Sequence, residues 1–462
     1  MRTFLSLLFL FTVLFSSAQN NSELSKETLD EITNFIKQKR EYYNSPSVAV
    51  AITDEHKTVY LKHFGDAKKG DRYLIGSISK SFTALLILRL QEEGKLHLQD
   101  PVSKYLPWFR YKNKQISDKI TIEDLLRHTS GISTEMGRTF KTDTSFSYEA
   151  YYANTLRELA INNVPAQPFR YSNVNYRLLG LIIEKVTHKT YEECLESYVT
   201  SPLELHETSA NTDIDLINSY QYFLYYPILK FNADLHPQEA SSGLISSSAG
   251  DMARYLRHIM NSYHHHPNSK LNSNTVTQLV SKKNNNKSFY GLGWFINNDS
   301  SIFYHGGTNK SFESHMYILP SLKKAIVVLI NSNQAPDVEI INGIYGILLG
   351  KGYYNNSSFA YYRHLPFLVF LLFILFLFQI WKWKKSSYPK KISRKIVPNI
   401  LVSIGLLLAL GILIYIPKLN GVSLQTSIEF DPASGYSIIF TSLLLAFSSI
   451  LIYFNSSFKS KS

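Results

Sequence analysis

Three apolar runs close this chain, and they constrain its fold more than any other feature. They cover residues 365–381, 396–416 and 436–454, of 17, 21 and 19 residues, with no charged side chain between their ends. A bilayer core takes about 20 apolar residues in a helix, and about 17 at the least. Each run therefore reads as a transmembrane helix; buried core helices would need amphipathic partners, which this stretch lacks. The loop between the first two runs holds Lys382, Lys384, Lys385, Lys390, Lys391, Arg394 and Lys395. Positive loops stay cytoplasmic. The next loop carries only Lys418 against Glu429 and Asp431, so it lies outside, and Lys459 and Lys461 place the C-terminus inside. Trp381 and Trp383 suit the membrane interface. At the other end, residues 1–18 combine Arg2, an apolar run from Phe4 to Phe15 and Ser16-Ser17-Ala18. That is the layout of a secretory signal peptide, and no Cys follows it to carry a lipid. Both ends thus send the body, residues 19–358, out of the cytoplasm.

The net charge of +12 needs locating before it means anything. Most of the excess lies in the C-terminal tail and at Arg2, which leaves the body near neutral. A nucleic-acid protein needs a basic face on its folded domain, so no nucleic-acid partner is expected. At 45% apolar and 14% aromatic residues the body can build a sizeable core. The single cysteine, Cys194, excludes a disulfide scaffold and reads as core filler.

Within the body, 47–53 and 58–64 are β-rich runs around Asp54-Glu55-His56, which predicts a hairpin. Residues 77–93 read as a helix stopped by Gly94. Asp100-Pro101 predicts a helix with an N-cap Asp and Pro at its first position. Thr121 and Asp124 suggest a capping box before Leu125-Leu126. Residues 176–186 are strongly helical. Short strands are expected at 290–296, 302–304, 313–319 and 325–331, with a closing helix at 337–349. Strands at both ends with helices between them predict an α/β domain. Its antiparallel sheet is built from both ends, flanked by helices, with a helical subdomain inserted in the middle and the three transmembrane helices following.

The candidate chemistry starts at Ser77-Ile78-Ser79-Lys80. Serine and lysine three residues apart on a helix share one face. A serine hydroxyl attacks only when a neighbouring base takes its proton. Lysine is such a base when burial or a nearby positive charge keeps its amine neutral. Ser-x-x-Lys occurs four times, at Ser77, Ser321, Ser387 and Ser456, but only Ser77 opens a buried-looking helix, Phe82 to Leu88. A second element is Tyr171-Ser172-Asn173. A phenol there can share the Ser77 proton with Lys80, and the Asn173 amide can orient Lys80 or bond a substrate carbonyl. Tyr-x-Asn occurs six times, so the motif alone has low specificity. The third is His305-Gly306-Gly307-Thr308 after the strand at 302–304. It offers close backbone approach, the Thr308 N–H as an oxyanion donor and His305 as a proton or hydrogen-bond donor to substrate.

Together these elements resemble the serine β-lactamase and penicillin-binding-protein superfamily, closest to its class C-like branch. The similarity covers residues 46–349. It extends to Leu74-Ile75-Gly76 before the serine, Gly94-Lys95-Leu96, Asp100-Pro101-Val102 and Tyr105-Leu106-Pro107. The blocks Leu125-Leu126-Arg127-His128-Thr129-Ser130-Gly131-Ile132 and Pro202-Leu203 continue it. Ser242-Gly243-Leu244-Ile245-Ser246-Ser247, Asp251-Met252-Ala253-Arg254-Tyr255 and Gly291-Leu292-Gly293-Trp294 complete it. The resemblance implies that Ser77 is the acylated nucleophile, Lys80 its proton partner and Tyr171 the general base. Asn173 would support them, and His305-Gly306-Gly307 would take the place of the third motif. That motif usually opens with a lysine that binds a substrate carboxylate. His305 stands there instead, as in esterase-like members, which argues more against penicillin hydrolysis than against acyl transfer.

The expectation is a multi-pass protein of a bacterial cytoplasmic (inner) membrane, with an extracytoplasmic catalytic domain and a cytoplasmic C-terminus. It would hydrolyse an ester or D-amino-acid amide of the cell envelope through a Ser77 acyl-enzyme. The alternatives are a genuine β-lactamase or D,D-peptidase, and a non-catalytic protein that binds or senses envelope ligands. No cofactor is expected. No metal is expected either: the consecutive His264-His265-His266 cannot all face one ion and read as a polar loop before Pro267. The apolar runs hold no charge, so anchoring is their expected role.

Overall fold

The computed structural model describes residues 24–138, 147–161, 168–223, 226–231, 235–282 and 289–353, with scattered positions between 370 and 446. The leader at 1–18 and most of the three apolar runs lie outside the described residues. No helix among the described residues is long and apolar enough to cross a membrane.

The chain enters through helix α1 (Lys26–Tyr42), capped by Ser25, with Glu27 in its first turn and Lys39 and Arg40 in its last. That charge order suits the helix dipole. Strands β1 (Ser47–Asp54) and β2 (Thr58–Gly65) form the expected hairpin. Its turn is held by the Asp54 carboxylate, which accepts the N–H groups of His56 and Lys57 at 2.8 Å each. After the short β3 (Tyr73–Leu74) comes α2 (Ser79–Glu92), then α3 (Ile122–Leu126) and α4 (Asn173–Thr187). A ribbon of β4 (Ser219–Phe223) and β5 (Tyr226–Phe231) precedes β6 (Ser246–Ser247) and α5 (Ala249–Tyr263). The chain returns to the sheet with β7 (Phe295–Ile296), β8 (Phe303–Thr308), β9 (Glu313–Leu319) and β10 (Lys324–Ile330), then α6 (Asp337–Leu348).

The main sheet is antiparallel, in the order β2-β1-β10-β9-β8-β7. Its central pairing, Val48 opposite Ile330 through Asp54 opposite Lys324, joins the two ends of the domain. Both faces are covered. Ala49 and Ala51 of β1, with Val327 and Leu329 of β10, face the helical lobe. Val48, Val50, Ile52, Val328 and Ile330 face α1 and α6. Burial on both sides makes these strands continuous apolar runs, without the alternation of a half-exposed strand.

Several local expectations change. Ser77 sits in a separate 3₁₀ turn, Gly76–Ile78, and the α-helix begins at Ser79. Pro101, extended at φ −66 and ψ 140, occupies the N-cap of a single turn, Val102–Tyr105. The preceding Asp100 instead accepts hydrogen bonds from the Tyr105 hydroxyl and the His97 N–H. The strand expected at 290–296 keeps only Phe295–Ile296, because Gly293, at φ +77, turns the chain over the backbone of Lys80. The strand expected at 302–304 runs from Phe303 on to Thr308, so the His-Gly-Gly segment is itself strand. The Thr121–Asp124 capping box is present as expected.

Candidate active site

Ser77 is seated where the turn before α2 presses on β8. Gly76 has φ +53, and a Cβ there would lie 2.6 Å from the Thr308 nitrogen. A Cβ on Gly307 would lie 2.0 Å from the Ile75 carbonyl oxygen and 2.4 Å from Ser314 Oγ. Only glycines permit this approach. The seat is fastened by hydrogen bonds. Ser314 Oγ donates to the Ile75 carbonyl at 2.9 Å, the Ile75 N–H donates to the Ile245 carbonyl at 2.9 Å, and the Ile245 N–H donates to Ser79 Oγ at 3.1 Å. Ser77 itself stays half-exposed beside the free edge of Gly307-Thr308.

Lys80 follows one turn later and is fully buried on α2, a helix buried around most of its circumference. Its Nζ lies 3.0 Å from Ser77 Oγ and donates to the Ser242 carbonyl at 2.5 Å. The rings of Tyr171 and Tyr176 flank it, with centroids at 5.0 and 5.7 Å. Burial, and then the positive charge of Arg177, hold the amine well below the usual lysine range. In its neutral form the amine keeps a lone pair while donating to Ser242, and can then accept a proton.

The Ser242 carbonyl is fixed by a strongly held turn. Thr83 Oγ1 donates to the Ser241 carbonyl at 2.7 Å, and Asn309 Nδ2 donates to the Gly243 carbonyl at 3.2 Å. Glu239, at the start of this turn, forms a buried ion pair with Arg177 of α4 at 3.4 Å. The Tyr148 hydroxyl also donates to Glu239, and Arg177 donates to the Tyr152 hydroxyl at 2.9 Å. Neither Arg177 nor Glu239 was singled out as a site residue from sequence, since partners so distant along the chain leave no local spacing.

Tyr171 precedes α4. Its hydroxyl is enclosed, and burial pushes the phenol far above its ordinary range, with the nearby Ser77 hydroxyl partly offsetting that. Burial therefore disfavours the charged form of both groups, amine and phenol alike. Asn173 is brought close but its amide donates to the Gly137 carbonyl at 3.1 Å, and no hydrogen bond joins it to Lys80.

His305 departs most from the sequence expectation. Its ring is 1% exposed, enclosed by Phe295, Tyr290 and Tyr171. Nε2 lies 3.1 Å from the Tyr290 hydroxyl and Nδ1 lies 2.6 Å from the Gly306 carbonyl. Burial foremost, then Lys80, lowers its pKa to about 3. The strand alternation explains the burial: odd positions of β8 point into the core. Gly306 backs onto His315 of β9, and Thr308, at the exposed end, donates to Glu313 at 2.7 Å. His128, which shows no partner in the sequence, is fully buried against Tyr171, with ring centroids 4.3 Å apart. Its presence in the Leu125–Ile132 block was the available signal.

The family model described as Beta-lactamase matches residues 32–348. Protein flp of Staphylococcus aureus (strain MW2) is 28% identical over 336 residues, which cover 67% of this chain and 64% of that protein. The chain thus spans less than two thirds of that relative's length. A protein of Escherichia coli (strain K12) named "Putative D-alanyl-D-alanine carboxypeptidase" is 26% identical over 381 residues, covering 71% of this chain and 87% of that one. Among solved structures, the octameric penicillin-binding protein homologue from Pyrococcus abyssi superposes with a TM-score of 0.58 at 25% identity, covering 70% of this chain and 78% of that chain.

Proposed function

The chain belongs to the beta-lactamase family, and from that premise we propose that it is a serine hydrolase acting through an acyl-enzyme on Ser77. The observation that carries this reading is the fully buried Lys80 amine, 3.0 Å from Ser77 Oγ, whose charged form is disfavoured by burial and by Arg177. As Ser77 Oγ bonds to the substrate's acyl carbon, its proton passes to Lys80 Nζ. The carbonyl electron pair collects on the oxygen, where the N–H groups of Ser77 and Thr308 receive it. The intermediate collapses, the bond to the leaving group breaks, and the leaving group takes the proton from Lys80 by way of the Tyr171 hydroxyl. Water then repeats the cycle on the acyl-enzyme, giving the acid and free Ser77. In this scheme the amine is the base and the phenol a neutral relay, which refines the role that the family resemblance implies for Tyr171.

The substrate is an ester or a D-amino-acid amide of the cell envelope. The name of the Escherichia coli relative supports the amide. The neutral, enclosed His305 favours the ester over an amide that ends in a carboxylate, since no permanent cation stands at that point of β8. The domain at 19–358 works outside the cytoplasm, anchored by helices at 365–381, 396–416 and 436–454 after removal of residues 1–18. The agreement of loop charges with the leader supports this.

The test is labelling of the full-length protein with a fluorophosphonate. Wild type labels and Ser77→Ala does not; equal labelling of the two refutes the assignment. Nitrophenyl esters are turned over faster than nitrocefin, and the reverse order would make it a β-lactamase.

A further inference from the structure

We propose that His128 is the positioning residue of Tyr171, clamping the segment 170–172 from both sides so that the phenol stays aimed at Ser77 and Lys80. The inference rests on the reading of Tyr171 as proton relay. Its geometry is a two-point hold. The Arg170 N–H donates to the His128 carbonyl at 2.9 Å, and the Ser172 N–H donates to His128 Nδ1 at 3.1 Å. Tyr171 is the residue between these two bonds, and its ring lies on the imidazole at 4.3 Å with a 36° tilt.

The protonation state of His128 follows from its neighbours. Nδ1 also faces Asn175 Nδ2 at 3.0 Å, and the orientation of that amide is set by the Ser130 hydroxyl, which donates to Asn175 Oδ1 at 2.7 Å. Nδ1 therefore receives two N–H donors and carries no proton of its own. The ring proton is on Nε2, which is buried with no hydrogen-bond partner. Tyr176 and Tyr290 close around the ring, at 5.2 and 5.0 Å. Burial opposes an imidazolium here. The backbone of His128 is left-handed, φ +58, a region that only a few per cent of non-glycine residues adopt. A left-handed backbone and an unmatched Nε2 donor, both beside the site, mark a residue held for what its Nδ1 and carbonyl do.

Two substitutions separate the side-chain acceptor from the strain. His128→Gly suits φ +58 but deletes Nδ1, while His128→Asn suits φ +58 and keeps an acceptor, Oδ1, at the same distance from the backbone. With the full-length protein and a nitrophenyl ester, His128→Gly lowers kcat about 100-fold with KM little changed, the loss expected of a misplacement near 1 Å. His128→Asn restores most of the rate. A second readout needs no turnover. With [13Cζ]tyrosine incorporated, the Tyr171 resonance, identified by its absence in Tyr171→Phe, moves in His128→Gly and returns in His128→Asn. The inference is overturned if His128→Gly keeps both rate and resonance, or if a folded His128→Asn is as impaired as His128→Gly. Failure of wild type itself to label at Ser77 would instead remove the catalytic reading, and the tyrosine resonance would still decide the clamp.

Discussion

Gly307→Ala is the sharpest probe of how the nucleophile is seated. The new methyl would lie 2.0 Å from the Ile75 carbonyl oxygen and 2.4 Å from Ser314 Oγ, where real Cβ atoms stay beyond 3.0 Å. β8 is pinned along its length by β9, from Phe303 opposite Ile318 to Thr308 opposite Glu313. The turn at Ile75–Ser77 therefore has to yield, by about 1 Å or more, and the Ile75–Ser314 hydrogen bond goes with it. Overpacking of this kind lowers stability by about 1–3 kcal/mol. Displacing Ser77 from Lys80 and from Thr308 by that distance lowers kcat/KM about 100-fold. The assay pairs ester hydrolysis with urea unfolding. Gly94→Ala is the control: Gly94 also has a positive φ, +68, but nothing lies within 4 Å of a Cβ there. It loses about 1 kcal/mol of stability and no activity. If Gly307→Ala acylates at the wild-type rate, Ser77 is not seated against β8 in the way described.

Three further outcomes follow from buried groups. Lys80→Met lowers the acylation rate about 10³-fold. It also flattens the rise of stability with pH below about 10.5, because Lys80 holds its proton less tightly when folded than when unfolded; parallel urea-midpoint curves for the two proteins would refute this. His305 titrates at about 3 when folded, against an ordinary value near 6.5, so the unfolded chain binds its proton first and stability falls as pH drops from about 6.5 towards 3. His258, lowered to about 4, acts the same way and Asp251, raised to about 6, opposes it. His305→Gln makes that acid slope shallower by one proton, and an unchanged slope between pH 6.5 and 4 would count against it. Glu239→Gln leaves the Arg177 charge buried without its partner and destabilises by about 3–5 kcal/mol; a loss under about 1 kcal/mol in chemical denaturation would make the pair energetically idle.

What the sequence carried well were local signals. The hairpin around Asp54, the Thr121 capping box and the strand at 313–319 all rest on neighbours in the chain. The spacing of Ser77 and Lys80 was legible for the same reason, as one helical turn. The helix α1 passed unread because its apolar residues Ile32, Phe35 and Ile36 lie among many charges. The strand expected at 302–304 continues through His305-Gly306-Gly307 to Thr308, further than its apolar residues alone mark. In the fold those glycines answer a crowding that only appears when Ile75 and His315 arrive from elsewhere. His128 and the Arg177–Glu239 pair were hidden for a related reason: the bond of His128 to Ser172 spans 44 residues and the ion pair spans 62.

The central claim is that Ser77 faces an amine already neutral at physiological pH. The direct measurement is the rate of fluorophosphonate labelling of Ser77 in the full-length protein, followed by mass spectrometry of the Ser77 peptide from pH 6 to pH 10.5. The account predicts a rate that levels off by neutral pH. A rate that keeps climbing about tenfold per pH unit towards the ordinary lysine value near 10.4 would mean that Lys80 is charged where the enzyme works, and would contradict it.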